Sequence, residues 1–259
     1  MAYSLAGKNV LVTGASSGIG AGVAVGLAQR GATVGICARR GDKLAEVLAQ
    51  VQEHAPASKS WVVDLADLDV LAGFAKEADD ALGGIDVLVN NAGIPKRRTV
   101  FDLTPEVVED TMRINYFSPV RLTLALRDRL VERGGRIVNI SSVAARLSPP
   151  AEAAYAATKA ALSAWSESMQ VDLRDTDVKI HVVYPGIIDT ELFHLPDNDA
   201  PMMAIDALPV EAIVEPILRM VEDGTFEISV PEWFGGLFAG KYNDVGAFLE
   251  GTVTWLRSQ

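Results

Sequence analysis

Lys8-Asn9-Val10-Leu11-Val12-Thr13 is a short apolar run, and Gly14-Ala15-Ser16-Ser17-Gly18-Ile19-Gly20 interrupts it before an Ala/Val/Leu-rich segment at 21–30. The pattern predicts a buried strand, a glycine turn and a helix. That order aims backbone N–H groups and a helix N-terminus at one point, and such a point attracts phosphate. A glycine pattern alone is weak. Here residues 32–38 form a second apolar strand ending about 24 residues beyond Gly14, which completes a βαβ unit. In that context a turn that only packs, holding no ligand, is the lesser reading.

The end of the second strand is informative. A carboxylate there would hold the ribose 2′-hydroxyl of NAD, but the strand ends in Ala38 and is followed by Arg39 and Arg40. Guanidinium groups in that place suit a 2′-phosphate, so the sequence favours NADP(H) over NAD(H).

The alternation continues along the chain. Helical spacing covers 42–54, an apolar strand 60–64, a helix 67–82, and a strand 85–90 ends in Asn90-Asn91-Ala92-Gly93. Then come a long helix at 105–133, a strand at 136–140, helix 151–173, strand 179–184, helix 210–223 and a last strand at 226–230, stopped by Pro231. Repeated β–α alternation with apolar strands implies an α/β, doubly wound sheet of about seven mostly parallel strands, with helices on both faces. No linker, repeat or low-complexity tract divides the chain, so one domain over 1–259 is expected.

Composition narrows the function classes. Hydrophobic residues make up 49% and charged residues 22%, and the net charge is −11. That balance speaks for a globular protein and against nucleic acid or an anionic membrane as its main partner. No apolar run reaches the length of a membrane span. The N-terminus lacks a signal-peptide pattern, and a cytoplasmic protein is the inference. The single Cys37 excludes an internal disulfide and reads as a buried core thiol. With His54, His181 and His194 scattered, no metal cluster is expected.

Chemistry concentrates at 151–173. Tyr155 and Lys159 fall one helical turn apart on one face, and Ser142 ends the apolar run Arg136-Ile137-Val138-Asn139-Ile140-Ser141-Ser142. A fixed ammonium beside a buried phenol is expected to lower its pKa, giving an acid/base group usable near neutrality. In the long helix, Pro119 follows Asn115 by four residues and removes the usual partner of the Asn115 carbonyl. A bend with a free carbonyl is expected there.

Beyond the strand at 179–184 lie Pro185-Gly186-Ile187-Ile188-Asp189-Thr190 and an irregular stretch to Pro209, carrying Leu192, Phe193, Leu195, Met202 and Met203. A loop of about 187–209 with such side chains suggests an adaptable apolar wall. The tail at 231–259 holds Trp233, Phe234, Leu237, Phe238, Phe248 and Trp255. It is either a subunit interface or the rim of an apolar pocket, and the interface is the preferred reading.

Together these motifs resemble the short-chain dehydrogenase/reductase family, in its single-domain branch, over residues 5–230. The TGxxxGxG loop matches Thr13 to Gly20, the adenine-side pair matches Asp64-Leu65, and the NNAG strand end matches Asn90 to Gly93. The resemblance carries the catalytic roles onto Asn115, Ser142, Tyr155 and Lys159. It carries the cofactor roles onto Gly14, Ser16, Ser17, Gly18, Ile19, Gly20, Arg39, Arg40, Asp64, Leu65, Asn91, Ala92, Gly93, Tyr155, Lys159, Pro185, Gly186, Ile188 and Thr190. Some NADP-preferring members place a basic residue where this chain has Ser17, so phosphate preference rests on Arg39, aided by Ser16 and Arg40. Helices 105–133 and 151–173 are expected, by resemblance, to form a homodimer or homotetramer interface.

The implied activity is interconversion of a ketone or aldehyde with an alcohol. Tyr155 is the acid/base group, Ser142 orients the carbonyl oxygen, Lys159 holds the nicotinamide ribose, and Asn115 holds a water. The substrate is expected to be moderately large and apolar, touching Ser142, Ala144, Leu147, Tyr155, Leu192 and Phe193, with no ion-pairing group in evidence among the wall residues. A non-catalytic dinucleotide-binding or regulatory protein is the alternative, disfavoured by the intact Ser-Tyr-Lys set. A sugar-nucleotide epimerase or dehydratase is disfavoured because no substrate domain follows the sheet.

Overall fold

A computed structural model describes residues 2–191, 195, 198, 199 and 206–258. Its centre is a seven-stranded sheet in the order β3-β2-β1-β4-β5-β6-β7. The strands are β1 (Asn9–Thr13), β2 (Thr33–Ala38), β3 (Lys59–Val62), β4 (Val87–Asn90), β5 (Arg136–Ile140), β6 (Lys179–Pro185) and β7 (Glu227–Val230). Every pairing is parallel, with Val10 opposite both Val34 and Val87.

Side-chain alternation splits the core between the two faces. Val10, Val12, Val34 and Ile36 pack with helices α1 (Gly18–Gln29), α2 (Gly41–Gln52) and α8 (Glu211–Asp223). Leu11, Cys37, Leu88 and Ile137 point the other way, toward α3 (Leu71–Leu82) and α5 (Ser118–Glu132). Cys37 is wholly buried, and burial pushes its thiol up to about 12, as a core thiol requires. Gly35 in β2 is a packing necessity, because a Cβ there would meet Trp61 and Leu82 at 2.8 Å.

Local signals set the helix ends. Thr104 caps α4 (Pro105–Met112) by accepting from the Val107 N–H, and Pro105 opens its first turn. Gly83 and Gly224 close α3 and α8 in the left-handed region. The helix expected at 105–133 is α4, a π-helical turn at Arg113–Phe117, and then α5. The π turn ends two residues before Pro119 and contains Asn115, so the expected bend takes the form of a widened turn. At the N-terminal edge of the sheet, buried Asp86 accepts from the Asn9 N–H at 2.9 Å and from Arg133 at 2.9 and 3.0 Å.

Three helices add to the expected set. The short α6 (Ala144–Leu147) precedes α7 (Ala153–Asp172), and the tail forms α9 (Phe234–Asn243) and α10 (Val245–Arg257). Buried Lys241 fastens α9 to α6, donating to the Arg146 carbonyl at 2.8 Å and to Ser148 Oγ at 3.0 Å. No described helix is long and apolar enough to cross a membrane.

Candidate active site

β1 and β4 are neighbours whose connections leave on opposite sides, so a crevice opens at their C-terminal ends. The glycine loop and the Asn-Asn-Ala-Gly strand end are locked together across it. Thr13 Oγ1 donates to the Val89 carbonyl at 3.2 Å and accepts from the Asn91 and Ala92 N–H groups at 3.0 Å. The Asn91 amide donates to the Thr13 and Gly14 carbonyls at 2.9 and 3.1 Å. Gly20 faces this junction so closely that a Cβ would lie 2.4 Å from Asn91 Nδ2. The first turn of α1 thus sits directly against the strand ends.

A cavity of about 330 Å³ follows, lined by Gly14, Ser16, Ser17, Gly18, Ile19, Arg39, Arg40, Asp64, Leu65, Asn91, Ala92, Gly93 and Thr190. Its wall is built from backbone-rich glycine turns and a helix N-terminus, with two guanidinium groups at one end, and these fit a dinucleotide. Arg40 donates to Ser16 Oγ at 2.9 Å and Ser17 Oγ at 2.7 Å, and pairs with Glu191 at 2.6 Å. Lys43 also contacts Glu191, and together they hold that carboxyl down at about 2, the Lys43 hydrogen bond contributing most. Arg39 is exposed at the same rim and makes no ion pair among the described residues.

A larger cavity of about 600 Å³ adjoins the first, and both share Ile19, Asn91, Gly93 and Thr190. Ser142, Tyr155, Lys159, Pro185, Gly186 and Ile188 line it, with Ala144 and Leu147 from α6. Leu192 and Phe193, expected in the same wall, lie outside the described residues.

A rail of polar side chains holds α7 against β5. Asn139 Nδ2 donates to Ser166 Oγ at 2.8 Å, and Ser141 Oγ meets the Lys159 carbonyl at 3.1 Å and Ser163 Oγ at 2.9 Å. Lys159 is buried and donates to the Ile140 carbonyl at 2.8 Å. Asn115 does not line the cavity. Its amide accepts from the Ile94 N–H at 2.8 Å and donates to the Ile94 carbonyl at 2.9 Å and Thr158 Oγ1 at 3.0 Å.

The electrostatics differ from the expected depression of Tyr155 by Lys159. Burial pushes the Tyr155 phenol above its ordinary range and Glu152 adds to this, while Ser142 and Arg97 pull it back. Lys159 lies 5.8 Å from the Tyr155 ring centroid with its Nζ committed to Ile140, and burial brings its own pKa down to about 8. With its ammonium turned to a carbonyl, Lys159 is not among the influences that shift the phenol, which are burial, Glu152, Ser142 and Arg97.

Sequence reasoning missed two charged groups in this wall, Arg97 and Glu152. Arg97 sits in an irregular loop with no motif around it. Glu152 precedes a helix and reads as an ordinary solvated N-terminal acid. The tail residues Phe234, Leu237, Phe248 and Trp255 also line the cavity. These four thus have the place at the rim of an apolar pocket that the sequence offered beside the interface reading. Among the described residues no group of His, Cys, Asp and Glu could hold a metal ion.

Fold and cleft together define a Rossmann-type α/β protein whose glycine-lined crevice fits a dinucleotide. The profile of the short chain dehydrogenases matches residues 8–199, and the chain belongs to the short-chain dehydrogenase/reductase family. It is similar to dehydrogenase/reductase SDR family member 7B of Bos taurus, 37% identical over 192 residues, covering 71% of this chain and 58% of the relative. The chain therefore spans little more than half of that relative's length. A fatty acyl-CoA reductase of Acinetobacter baylyi is 34% identical over 219 residues, covering 81% of this chain and 74% of the relative. Among solved structures, an alcohol dehydrogenase from Thermococcus sibiricus complexed with 5-hydroxy-NADP superposes with a TM-score of 0.76 at 24% identity. That match covers 86% of this chain and 95% of the other.

Proposed function

We propose that the protein is an NADP(H)-dependent oxidoreductase that interconverts a ketone or aldehyde with an alcohol on a moderately large, apolar substrate. One observation carries the reading. The glycine-lined cleft opens through Ile19, Asn91, Gly93 and Thr190 into an apolar cavity whose wall holds Ser142, Tyr155 and Lys159. Bound in the cleft, a nicotinamide dinucleotide supplies or takes up two electrons as hydride.

The chain's own groups do the rest. Tyr155 donates its phenolic proton to the carbonyl oxygen during reduction and takes it back during oxidation. Ser142 donates a hydrogen bond to the same oxygen and stabilises the charge that develops there. Lys159, buried and close to Gly93, holds the ribose side of the cofactor and relays a proton outward. Asn115 fixes the Ile94 backbone and Thr158, keeping strand end and α7 in register, and its main-chain carbonyl beside Pro119 holds a water on the proton path. Arg39, with Arg40 and Ser16, takes the 2′-phosphate.

The substrate lies on Ala144 and Leu147, under the aromatic side chains of α9 and α10. A fatty acyl-CoA reductase among the relatives fits such an apolar cavity. The chain acts as one domain and assembles as a homodimer or homotetramer through α4, α5 and α7. Exposed Phe117, Leu124, Val131 and Val171 on and between those helices support this.

A panel of ketones and alcohols with NADPH and NADH, read at the reduced-nicotinamide absorbance, tests the reading. Turnover of apolar ketones with NADPH is the expected result. Cofactor binding without turnover of any member would replace it with a regulatory role.

A further inference from the structure

Ser142 and Tyr155 line one cavity from the two ends of a single segment. Its midpoint is Ser148, six residues after the one and seven before the other. The segment has little hold on itself. Its first part is α6, a single turn and too short a helix to be stable alone. Its second part is Ser148-Pro149-Pro150-Ala151, where Ser148 and Ala151 have φ of 53° and 61°, left-handed values that side chains disfavour. Among the described residues no other non-glycine residue has a positive φ. Such backbone persists only where its surroundings over-determine it.

Those surroundings come from distant parts of the chain. At the start of the segment, the Val143 N–H donates to the Pro185 carbonyl at 3.0 Å, and Ser142 Oγ accepts from the Ala144 N–H at 3.1 Å. Arg146 donates to the Tyr184 hydroxyl at 2.7 Å and pairs with Glu167 and Glu227, which ties α6 to α7, β6 and β7. The Ala151 carbonyl accepts from the Arg98 N–H at 2.6 Å. The midpoint itself is held by Lys241 of α9, whose ammonium donates to the Arg146 carbonyl at 2.8 Å and to Ser148 Oγ at 3.0 Å. Lys241 is only 8% exposed and makes no ion pair among the described residues. A buried ammonium without a counter-ion is costly, and tying down an apolar tail requires no charge. What the ammonium supplies is several donors at one point, where the end of a short helix leaves oxygens open.

We propose that Lys241 is a positioning residue for the reaction. By holding the joint between α6 and α7 it sets the Ser142 hydroxyl and the Tyr155 phenol toward one carbonyl oxygen, and it makes the C-terminal tail a support of the active site. This deepens the oxidoreductase reading and rests on it. Lys241 lines neither cavity, so its loss acts through the geometry of the segment it holds. A displacement on the order of 1 Å at the reacting groups slows the chemical step about a hundredfold. The dinucleotide cleft, built on β1, β2 and β4, is left as it was.

The test is Lys241→Met, which keeps the apolar stem and removes the donors. On an apolar ketone with NADPH its kcat should fall about tenfold to a hundredfold, with the NADPH dissociation constant unchanged and KM moved less than kcat. Lys241→Gln, which retains an N–H donor, should recover part of the loss. Because the effect runs through the reacting groups, Lys241→Met combined with Ser142→Ala should lose less than the product of the two single losses. A raised KM with kcat intact would overturn the proposal, since the lysine would then only keep the apolar tail over the cavity. Fully multiplicative losses would overturn it too. If Lys241→Met does not fold, Ser148→Ala, which removes one of its two acceptors, carries the test: a lowered kcat upholds the proposal and an unchanged one sinks it. If wild type turns over no ketone, the oxidoreductase reading fails and amide hydrogen exchange judges the clamp alone. Faster exchange at 144–148 in Lys241→Met upholds it, and a change confined to 234–257, or none, overturns it.

Discussion

The Lys159 ammonium donates to the Ile140 carbonyl at 2.8 Å, tying the middle of α7 to the last residue of β5. This contact replaces water for a charge that burial holds at a pKa of about 8, below the ordinary 10.5. Between those values the unfolded chain binds more protons than the folded one, so the contribution of Lys159 to stability rises with pH across that window and is least favourable below it. Urea unfolding of wild type and Lys159→Met at several pH values checks this. The difference should move in favour of wild type from about pH 8 to 10, and a pH-independent difference would show that the lysine is not charged against a desolvation cost. Ketone turnover should be lost in the variant at every pH.

In the proposed reaction the proton comes from Tyr155, whose hydroxyl meets the Ser142 side chain. Tyr155→Phe keeps the ring and removes the hydroxyl, so kcat should fall by about a hundred- to ten-thousandfold with NADPH affinity nearly unchanged. Stopped-flow quenching of NADPH fluorescence separates the two. Normal turnover would remove Tyr155 from the acid/base role.

At the other end of the cleft, Glu191 gathers Arg40 and Lys43, the cations a phosphate would also gather. Arg39 remains at the rim without such a partner among the described residues. Arg39→Ala should therefore weaken NADPH by about ten- to hundredfold and leave NADH nearly unaffected. Glu191→Gln should tighten NADPH by releasing Arg40 and Lys43, more at low salt than at high because the groups are exposed. Isothermal titration with both cofactors decides the matter. Equal changes for NADPH and NADH would show that these residues do not read the phosphate.

How far the sequence reached depended on whether a feature was local. β1, β2 and β4 are apolar runs, ended by Gly14, by Arg39 and by the Asn90-Asn91 pair, so their positions and the cleft between them could be read directly. Pro119 signalled a bend because proline lacks an N–H, but not that the bend would be a π turn at Arg113–Phe117. The partner of Lys159 is a backbone carbonyl on another element, which no residue type announces. Arg97 and Glu152 share a cavity wall only because the loop at 95–99 and the start of α7 converge on it. The fold-back of α9 over that cavity is likewise fixed by contacts distant in sequence, such as Lys241 with Arg146.

The packing of α9 against the site gives a last prediction. A Cβ on Gly186 would lie 2.5 Å from Phe234 Cε2, and Phe234 is buried and stacked on Trp233 with ring centroids 4.0 Å apart. Gly186→Ala must push that ring, and α9 with it, at a cost of about 1–3 kcal/mol. Phe234→Ala removes the ring and should cost about 3–5 kcal/mol through lost burial and the cavity left behind. If the clash is the reason for glycine, the double variant should be scarcely less stable than Phe234→Ala alone, because the new methyl then enters emptied space. Chemical denaturation of the four proteins gives the coupling directly. Additive losses would mean that Gly186 is required for some other reason, and that α9 is not held where the ring and the glycine now meet.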